Sequence, residues 1–515
     1  MHIMKKLTGI LLLTAMFCGT VFAHSGKPRY HVIIDTDGGL DDMRALSMFL
    51  SGNDIRVLAI TCSRGTLLPC AVFNKVSSLL SAFHHEGIPV GISAETDAAL
   101  PDRASFARDI PWGDPVSSGV NPASSGGSAH FGGDPAGSWG PDFTGESFWL
   151  LNETVRNYPD QITLIALGSL KTYADWLKEN PDMIEKIDRL IWSGSQEIRS
   201  GFNYKVSPES YEFIRRSGVK LEVVTGNSEA DPLSVDYLDA IRNTGSVYAK
   251  RIVDVHSRDE ITKMMEEGHL HMHDDLVPLY LTVPLVFDTK TTDGASFASM
   301  NQLIPSDFIY ELIGRLLVSA TVTNNRVFNA FPADTALYKP AYAAILKETI
   351  EKFGPAEWKA ISLTNEIHGH TGIYSIIGAK MGIRAMNYFN VGINNLFVTS
   401  FAGNDPPLSC FNDGIQISTG ATIGQGLITV SDSISEIPSA IFEFNGRKVR
   451  ISVTPWIAGQ MQREIRHGIV TYGPLTDPYW LYIEDLALRY WAEFDRTEIF
   501  IIEAIGVPAA GKEPN

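Results

Sequence analysis

His31-Val32-Ile33-Ile34-Asp35-Thr36-Asp37-Gly38-Gly39-Leu40-Asp41-Asp42 is the stretch whose reading decides the fold. An apolar run that ends in a glycine-rich acidic turn is the pattern of a buried parallel strand opening into a loop. Residues 43–50 then read as a helix folded back onto the sheet. In open α/β sheets, ligands collect at the carboxyl ends of strands, where this turn lies. Asp35, Asp37, Asp41 and Asp42 repel one another there unless some hold protons or a cation sits among them. Oxygen donors at this density suit a hard cation, Ca²⁺ or Mg²⁺, better than zinc. A helix cap is the plainer use of such residues, but capping needs one carboxylate and not four.

The same rhythm continues outward. Residues 55–62 read as a second strand, 70–86 as a helix and 89–92 as a third strand. Further strands follow at 162–170 (with its turn, then a helix to about Glu179), 190–195 and 221–226. Strands alternating with helices predict an α/β fold, a mostly parallel sheet with helices on both faces. Residues 100–145 interrupt it with a long loop rich in Gly, Ser and Pro. The loop carries Trp112, Phe131, Trp139 and Phe143, with Trp149 just beyond. Those rings would either stack on a base or sugar or pack locally. Downstream, His269, His271 and His273 alternate, so an extended segment would place them on one face, a geometry open to zinc. The adjoining Asp274 and Asp275 suit a hard cation better. Asp274 could also cap the helix expected to start there.

Length and charge narrow the partners. A chain of 515 residues predicts two to four domains. Net charge is −17, from 42 Lys and Arg against 59 Asp and Glu, which excludes a nucleic-acid backbone as partner. Two early lysines and an apolar run ending in Val21-Phe22-Ala23 read as a secretory signal peptide over residues 1–23, so the chain is expected to be periplasmic or secreted. Phe17 before Cys18 is too large for a lipoprotein cleavage site, and no later run is long enough for a membrane span. Of the remaining Cys62, Cys70 and Cys410, a Cys62–Cys70 bridge is one option.

Residues 29–325 resemble the inosine–uridine nucleoside hydrolase family. The carrier is Asp35-Thr36-Asp37-Gly38-Gly39-Leu40-Asp41-Asp42, with Gly38 where the family usually has proline. His273-Asp274-Asp275-Leu276 is similar to the family's His-Asp-Pro-Leu, with Asp275 replacing the proline. Phe202-Asn203 and the turn 166–170 add support. The resemblance implies Ca²⁺ held by Asp37, Asp42, Asp274 and the Leu167 carbonyl. It further implies Asp41 as the base that takes a proton from the attacking water, Asn203 on the ribose, His273 facing the leaving base and Asp35 supporting the loop. Two departures thin the sugar side. Gly201 stands where a ribose-binding glutamate is expected, and Cys62-Ser63-Arg64-Gly65 replaces a Gly-Asn turn.

The second half spans 355–505, after a linker and connecting helix at 326–354. It resembles the FmdE family, named for a component of formylmethanofuran dehydrogenase, through His368-Gly369-His370, Cys410 with Asp413-Gly414-Ile415-Gln416, and Thr419-Gly420-Ala421-Thr422-Ile423-Gly424. That resemblance implies a smaller α+β domain with Zn²⁺ or another transition metal on His368, His370 and Cys410, although Ala421 replaces a frequent cysteine and the zinc-ribbon cysteines are absent.

The expectation is therefore an exported, calcium-dependent N-ribohydrolase of a nucleoside or related riboside, fused to a metal-binding domain. Assembly into a homo-oligomer stays open. Two other classes compete: a non-catalytic calcium-dependent sugar binder, and a phosphohydrolase using Asp35 as nucleophile. The second of these does not account for Asp41, Asp42 or Asp274.

Overall fold

The computed structural model describes residues 28–94, 99–102, 104–114, 145–226, 233–318, 325 and 327–505. The expected signal peptide and the loop residues Phe131, Trp139 and Phe143 lie outside them. No helix among the described residues is long and apolar enough to cross a membrane.

One sheet organises the first half. Its strands are β1 (Tyr30–Thr36), β2 (Ile55–Cys62), β3 (Val90–Ile92), β4 (Gly145–Glu146), β5 (Ile162–Ala166), β6 (Ile187–Gly194), β7 (Leu221–Thr225), β8 (Phe287–Thr292) and β9 (Ala295–Met300). They lie in the order β4-β3-β2-β1-β5-β6-β7-β9-β8. All neighbours are parallel except the edge pair β8–β9, the sheet's antiparallel ladder. Successive side chains of a strand point to opposite faces. Val32 and Ile34 enter a core with Met43, Phe49 and Val72, whereas Ile33 enters the core on the other face with Leu58, Leu164 and Trp176. Because both faces are covered at the centre of the sheet, β1, β2 and β5 run largely apolar without alternation.

From β1 the chain winds outward through β2, β3 and β4. It then returns to the other flank of β1 as β5 and winds outward again. The winding thus reverses between β1 and β5, and a crevice opens at their carboxyl ends. The acidic turn follows β1 into that crevice. In the interrupting stretch, Trp112 is fully buried, so local packing is its role.

The second half has its own core and sheet: β10 (Phe397–Ser400), β11 (Ile428–Val430), β12 (Ser439–Phe444), β13 (Arg447–Val453) and β14 (Phe500–Ile505), ordered β11-β10-β12-β13-β14. The helix Pro340–Phe353, expected as a connector, sends Leu346 into this core and packs Tyr342, Ile345 and Ile350 against it. The helix Asp477–Glu493 is followed by β14, which pairs with β13 and adds the edge. His368 ends the helix Pro355–His368, and Gly369, in the left-handed region, turns the chain toward His370.

The two domains meet at the amino-terminal edge of the large sheet. Arg384 donates to the His84 carbonyl at 3.2 Å and pairs with Glu86, and Arg56 at the start of β2 donates to Asn395 at 2.8 Å. Gly87 N–H donates to the Tyr388 carbonyl at 2.9 Å. A side chain at Gly87 would stand 2.5 Å from the Tyr388 ring. The second domain therefore sits opposite the crevice and does not cover it.

His85 is buried at this junction. Its Nδ1 donates to the Asn387 carbonyl at 2.7 Å, and its Nε2 accepts from the Tyr248 hydroxyl at 2.7 Å. Burial pushes its pKa down to about 4. An unfolded imidazole titrates near 6.5. The contribution of neutral His85 is thus complete above about pH 6.5 and is lost as pH falls toward 4, about 3 kcal/mol in all. Thermal melts between pH 7 and pH 4.5 should show the parent losing more stability over that window than a His85→Gln variant. Parallel profiles would contradict this.

Candidate active site

The acidic turn is shaped by its backbone. Leu167 N–H donates to the Asp35 carbonyl at 2.9 Å, which extends the β1–β5 pairing and carries Leu167 to the crevice. The Asp35 carboxylate is fully buried and accepts from Thr61 at 2.6 Å and Ser63 at 2.7 Å. Burial pushes its pKa up to about 7. Gly38 has φ +79°, a backbone conformation that proline cannot adopt. A Cβ on Gly39 would stand 2.8 Å from an Asp42 oxygen and 2.9 Å from an Asp41 oxygen. Glycine there lets both carboxylates fold back at the start of the helix Leu40–Ser51, whose N-terminus favours negative charge.

Asp42 Oδ1 accepts from the Thr36 hydroxyl at 2.6 Å and from Asp37 N–H at 3.1 Å. Asp274 comes from far downstream and is hydrogen-bonded to Asp42 and Ser193. Oxygens of Asp41, Asp42 and Asp274 lie within 4.8 Å of one another. Asp42 and Asp274 are buried, and Asp41 is partly exposed. Burial, and then neighbouring carboxylate charge, raises the pKa of Asp42 and lifts those of Asp37 and Asp274 well above the ordinary value.

The expected ligand set is Asp37, Asp42 and Asp274, with Asp41 as a separate base. The tightest trio instead contains Asp41, and Asp37 adjoins it through its contact with Asp42. A hydrogen bond between two carboxyl groups needs a proton between them, the place a cation takes when both are ionised. The all-oxygen donor set fits a hard divalent ion.

Asn203 differs from its expected role. Its amide nitrogen donates to the Leu167 carbonyl at 2.7 Å and to the Ser193 carbonyl at 3.1 Å, so it braces main chain instead of pointing only at a sugar. A carbonyl oxygen has two lone pairs, so Leu167 keeps one. A side chain at Gly201 would meet Ser195 Oγ at 2.5 Å, because the loop is drawn onto that serine. His273 is half-buried beside Gly226, where an added Cβ would stand 2.6 Å from its Nδ1.

The alternating histidines do not converge. His269 pairs with Glu267 at the surface, and the rings of His271 and His273 are 5.8 Å apart. Asp274 caps no helix: the cap position before Leu276–Thr282 is Asp275, and it makes no side-chain cap bond. Asp275 pairs instead with buried Arg44, a partner that sequence reasoning missed. The signal was a lone arginine in the apolar run Met43-Arg44-Ala45-Leu46. Cys62, Cys70 and Cys410 form no disulfide, which removes the Cys62–Cys70 option.

In the second domain, His368 Nδ1 pairs with Asp413 at 2.9 Å, and its buried Nε2 has no hydrogen-bond partner. The His370 ring lies 4.2 Å from that of His368 and meets Trp480 edge-on. Cys410, His368, Asn404, Ser409 and Gln416 line a cavity of about 290 Å³. Burial pushes the Cys410 thiol pKa up and the His370 pKa down. Among the described residues, His368, His370 and Cys410 do not form a group of ligand atoms within 4.8 Å, contrary to expectation.

Comparison with known proteins supplies the context. The family model "Inosine-uridine preferring nucleoside hydrolase" matches residues 32–329, and the FmdE model matches residues 367–473. A pyrimidine-specific ribonucleoside hydrolase, RihA, of Salmonella enteritidis is 25% identical over 269 residues, covering 50% of this chain and 81% of its own. RihA of Shewanella oneidensis is 24% identical over 275 residues, covering 50% and 80%. Among solved structures, an inosine-uridine preferring nucleoside hydrolase from Bacillus anthracis has 15% identity and a TM-score of 0.44, covering 56% of this chain and 99% of its own. A purine-preferring ribonucleoside hydrolase from Gardnerella vaginalis has 15% identity and a TM-score of 0.43, covering 57% and 100%.

Relieving the crowding should have two opposite effects. In metal-free protein, Asp274→Asn is expected to raise the melting temperature by about 2 °C, because a like charge is removed. The same variant should lose the rise that Ca²⁺ produces in the parent. A lower metal-free melting temperature with the Ca²⁺ response intact would contradict the crowding argument.

Proposed function

The chain belongs to the inosine-uridine preferring nucleoside hydrolase family, and from that premise we propose that it is an exported, Ca²⁺-dependent N-ribohydrolase of a nucleoside or related riboside. The carrying observation is the trio Asp41, Asp42 and Asp274, gathered at the carboxyl ends of β1 and β5 with two members buried. On this reading Asp37, Asp42, Asp274 and the Leu167 carbonyl hold the ion. A bound hard cation supplies Lewis acidity toward water and orients vicinal hydroxyls.

The rest of the chemistry belongs to the chain. Asp41, the most exposed of the trio, takes a proton from the water that attacks the anomeric carbon. The bond from that carbon to the base nitrogen breaks as the new carbon–oxygen bond forms, through an oxocarbenium-like transition state. Surrounding carboxylates stabilise its positive charge. His273 gives a proton to the departing base. Asp35 stays a support: it is fully buried and held by two hydroxyls, which argues against the phosphohydrolase reading.

The second domain is proposed to bind Zn²⁺ or another transition metal with His368 as the anchoring ligand, which requires His370 and Cys410 to close on it. Support comes from the His368–Asp413 pair, which fixes the tautomer so that Nε2 is the free donor, as in metal-ligating histidines. The sugar-binder reading keeps one observation in its favour: the Asn203 amide is spent on main chain and Gly201 offers no side chain. A panel of purine and pyrimidine nucleosides with Ca²⁺, scored by released ribose, separates the two. Turnover that falls at least about 10³-fold in Asp41→Ala is expected from loss of a base and its neighbouring charge. Saturable binding of nucleosides without release would favour the binder, and turnover unchanged in Asp41→Ala would refute the assigned base.

A further inference from the structure

We propose that Arg44 is a positioning residue for the metal centre: its forked ion pair with Asp275 clamps residues 271–275 to the helix Leu40–Ser51 and so holds Asp274 against Asp41 and Asp42. This rests on the metal-centre reading given above.

Four acceptors surround the guanidinium. Arg44 Nε donates to Asp275 Oδ1 at 2.9 Å and Nη2 to Oδ2 at 2.7 Å, the two-pronged arrangement that fixes direction as well as distance. Nη2 also donates to the His271 carbonyl at 3.1 Å, so the clamp grips main chain on the near side of Asp274 as well as its neighbour. Nη1 donates to His256 Nε2 at 3.1 Å. His256 Nδ1 donates to the Ile252 carbonyl at 2.8 Å, which leaves Nε2 as the acceptor Arg44 requires. Trp112 meets His256 edge-on at 6.0 Å and closes the far side. Arg44 and Asp275 are 1% and 0% exposed.

Position turns these contacts into a device. Arg44 follows Asp41 by three residues on one helix, so the two share a flank. Asp274 immediately precedes Asp275. The trio is therefore split between two segments that like-charge repulsion drives apart, and the ion pair joins the same two segments. The pair is itself neutral overall, so it holds the carboxylates together without removing their need for a cation. It also stands where the family's usual proline would stiffen the loop, because Asp275 replaces that residue.

A buried ion pair is weak evidence for a stabilising role, since matched apolar residues often serve as well. That makes the test decisive. Full-length parent, Arg44→Lys and the double variant Arg44→Met/Asp275→Leu would be freed of metal. Each would then be compared by Ca²⁺ titration calorimetry and by metal-free melting. The double variant removes both charges together and is expected to keep the parent's metal-free melting temperature, yet to bind Ca²⁺ at least about tenfold more weakly, the loss typical of removing a group that orients a ligand. Arg44→Lys keeps the charge but not the fork, and is expected to weaken binding as well. A folded double variant with the parent's Ca²⁺ affinity would overturn the clamp while leaving the metal centre standing. A parent that binds no divalent cation would overturn the metal centre and the clamp with it. A double variant that does not fold leaves the decision to Arg44→Lys, whose unchanged affinity would equally overturn the proposal.

Discussion

Crowded negative charge at one point of the fold is the constraint on which the rest depends. Asp41, Asp42 and Asp274 bring their oxygens within 4.8 Å, with Asp37 beside them, and burial removes most of the water that would screen them. Without a cation, burial and mutual repulsion disfavour the charged forms, which raises the pKa values of Asp37, Asp42 and Asp274. The chain accepts this at the place where α/β sheets build ligand sites, the reversal of winding between β1 and β5.

The surrounding elements serve that point. Both faces of the sheet are apolar and covered, so β1 is a rigid base for the turn. The left-handed Gly38 and the cramped Gly39 let two carboxylates fold back over a helix N-terminus. Thr36 and the Asp37 N–H orient Asp42. The Arg44–Asp275 pair ties in the downstream loop. The second domain, fastened to the opposite edge through Arg384, Gly87 and Arg56, leaves the crevice uncovered. Its His368 cavity is thus a separate site and not a wall of the first.

The acidic turn, its strand and the parallel sheet were legible in the sequence because apolar runs and glycine turns report local geometry. The family model over residues 32–329 bears out that resemblance. What the sequence concealed are interactions between distant segments. Arg44 looks like an interruption of a helix face until Asp275 is brought under it. Asn203 resembles a sugar contact until the Leu167 and Ser193 carbonyls are seen to claim its amide. The β12–β13 hairpin was missed although its signal was present: Asn445-Gly446, with φ +49° and +76°, is the turn that favours a tight hairpin. The distance from His368 and His370 to Cys410 was beyond the reach of spacing, since the histidines flank one helix end and the cysteine comes from a separate turn.

Everything above turns on whether the carboxylates after β1 and the loop before Leu276 form one hard-cation site. An anomalous-scattering map from crystals of the full chain grown with Ca²⁺ asks this directly. A peak is expected between Asp42 and Asp274, in contact with the Leu167 carbonyl oxygen. Crystals saturated with Ca²⁺ that show no peak there, while the three carboxylates keep their separation, would contradict it.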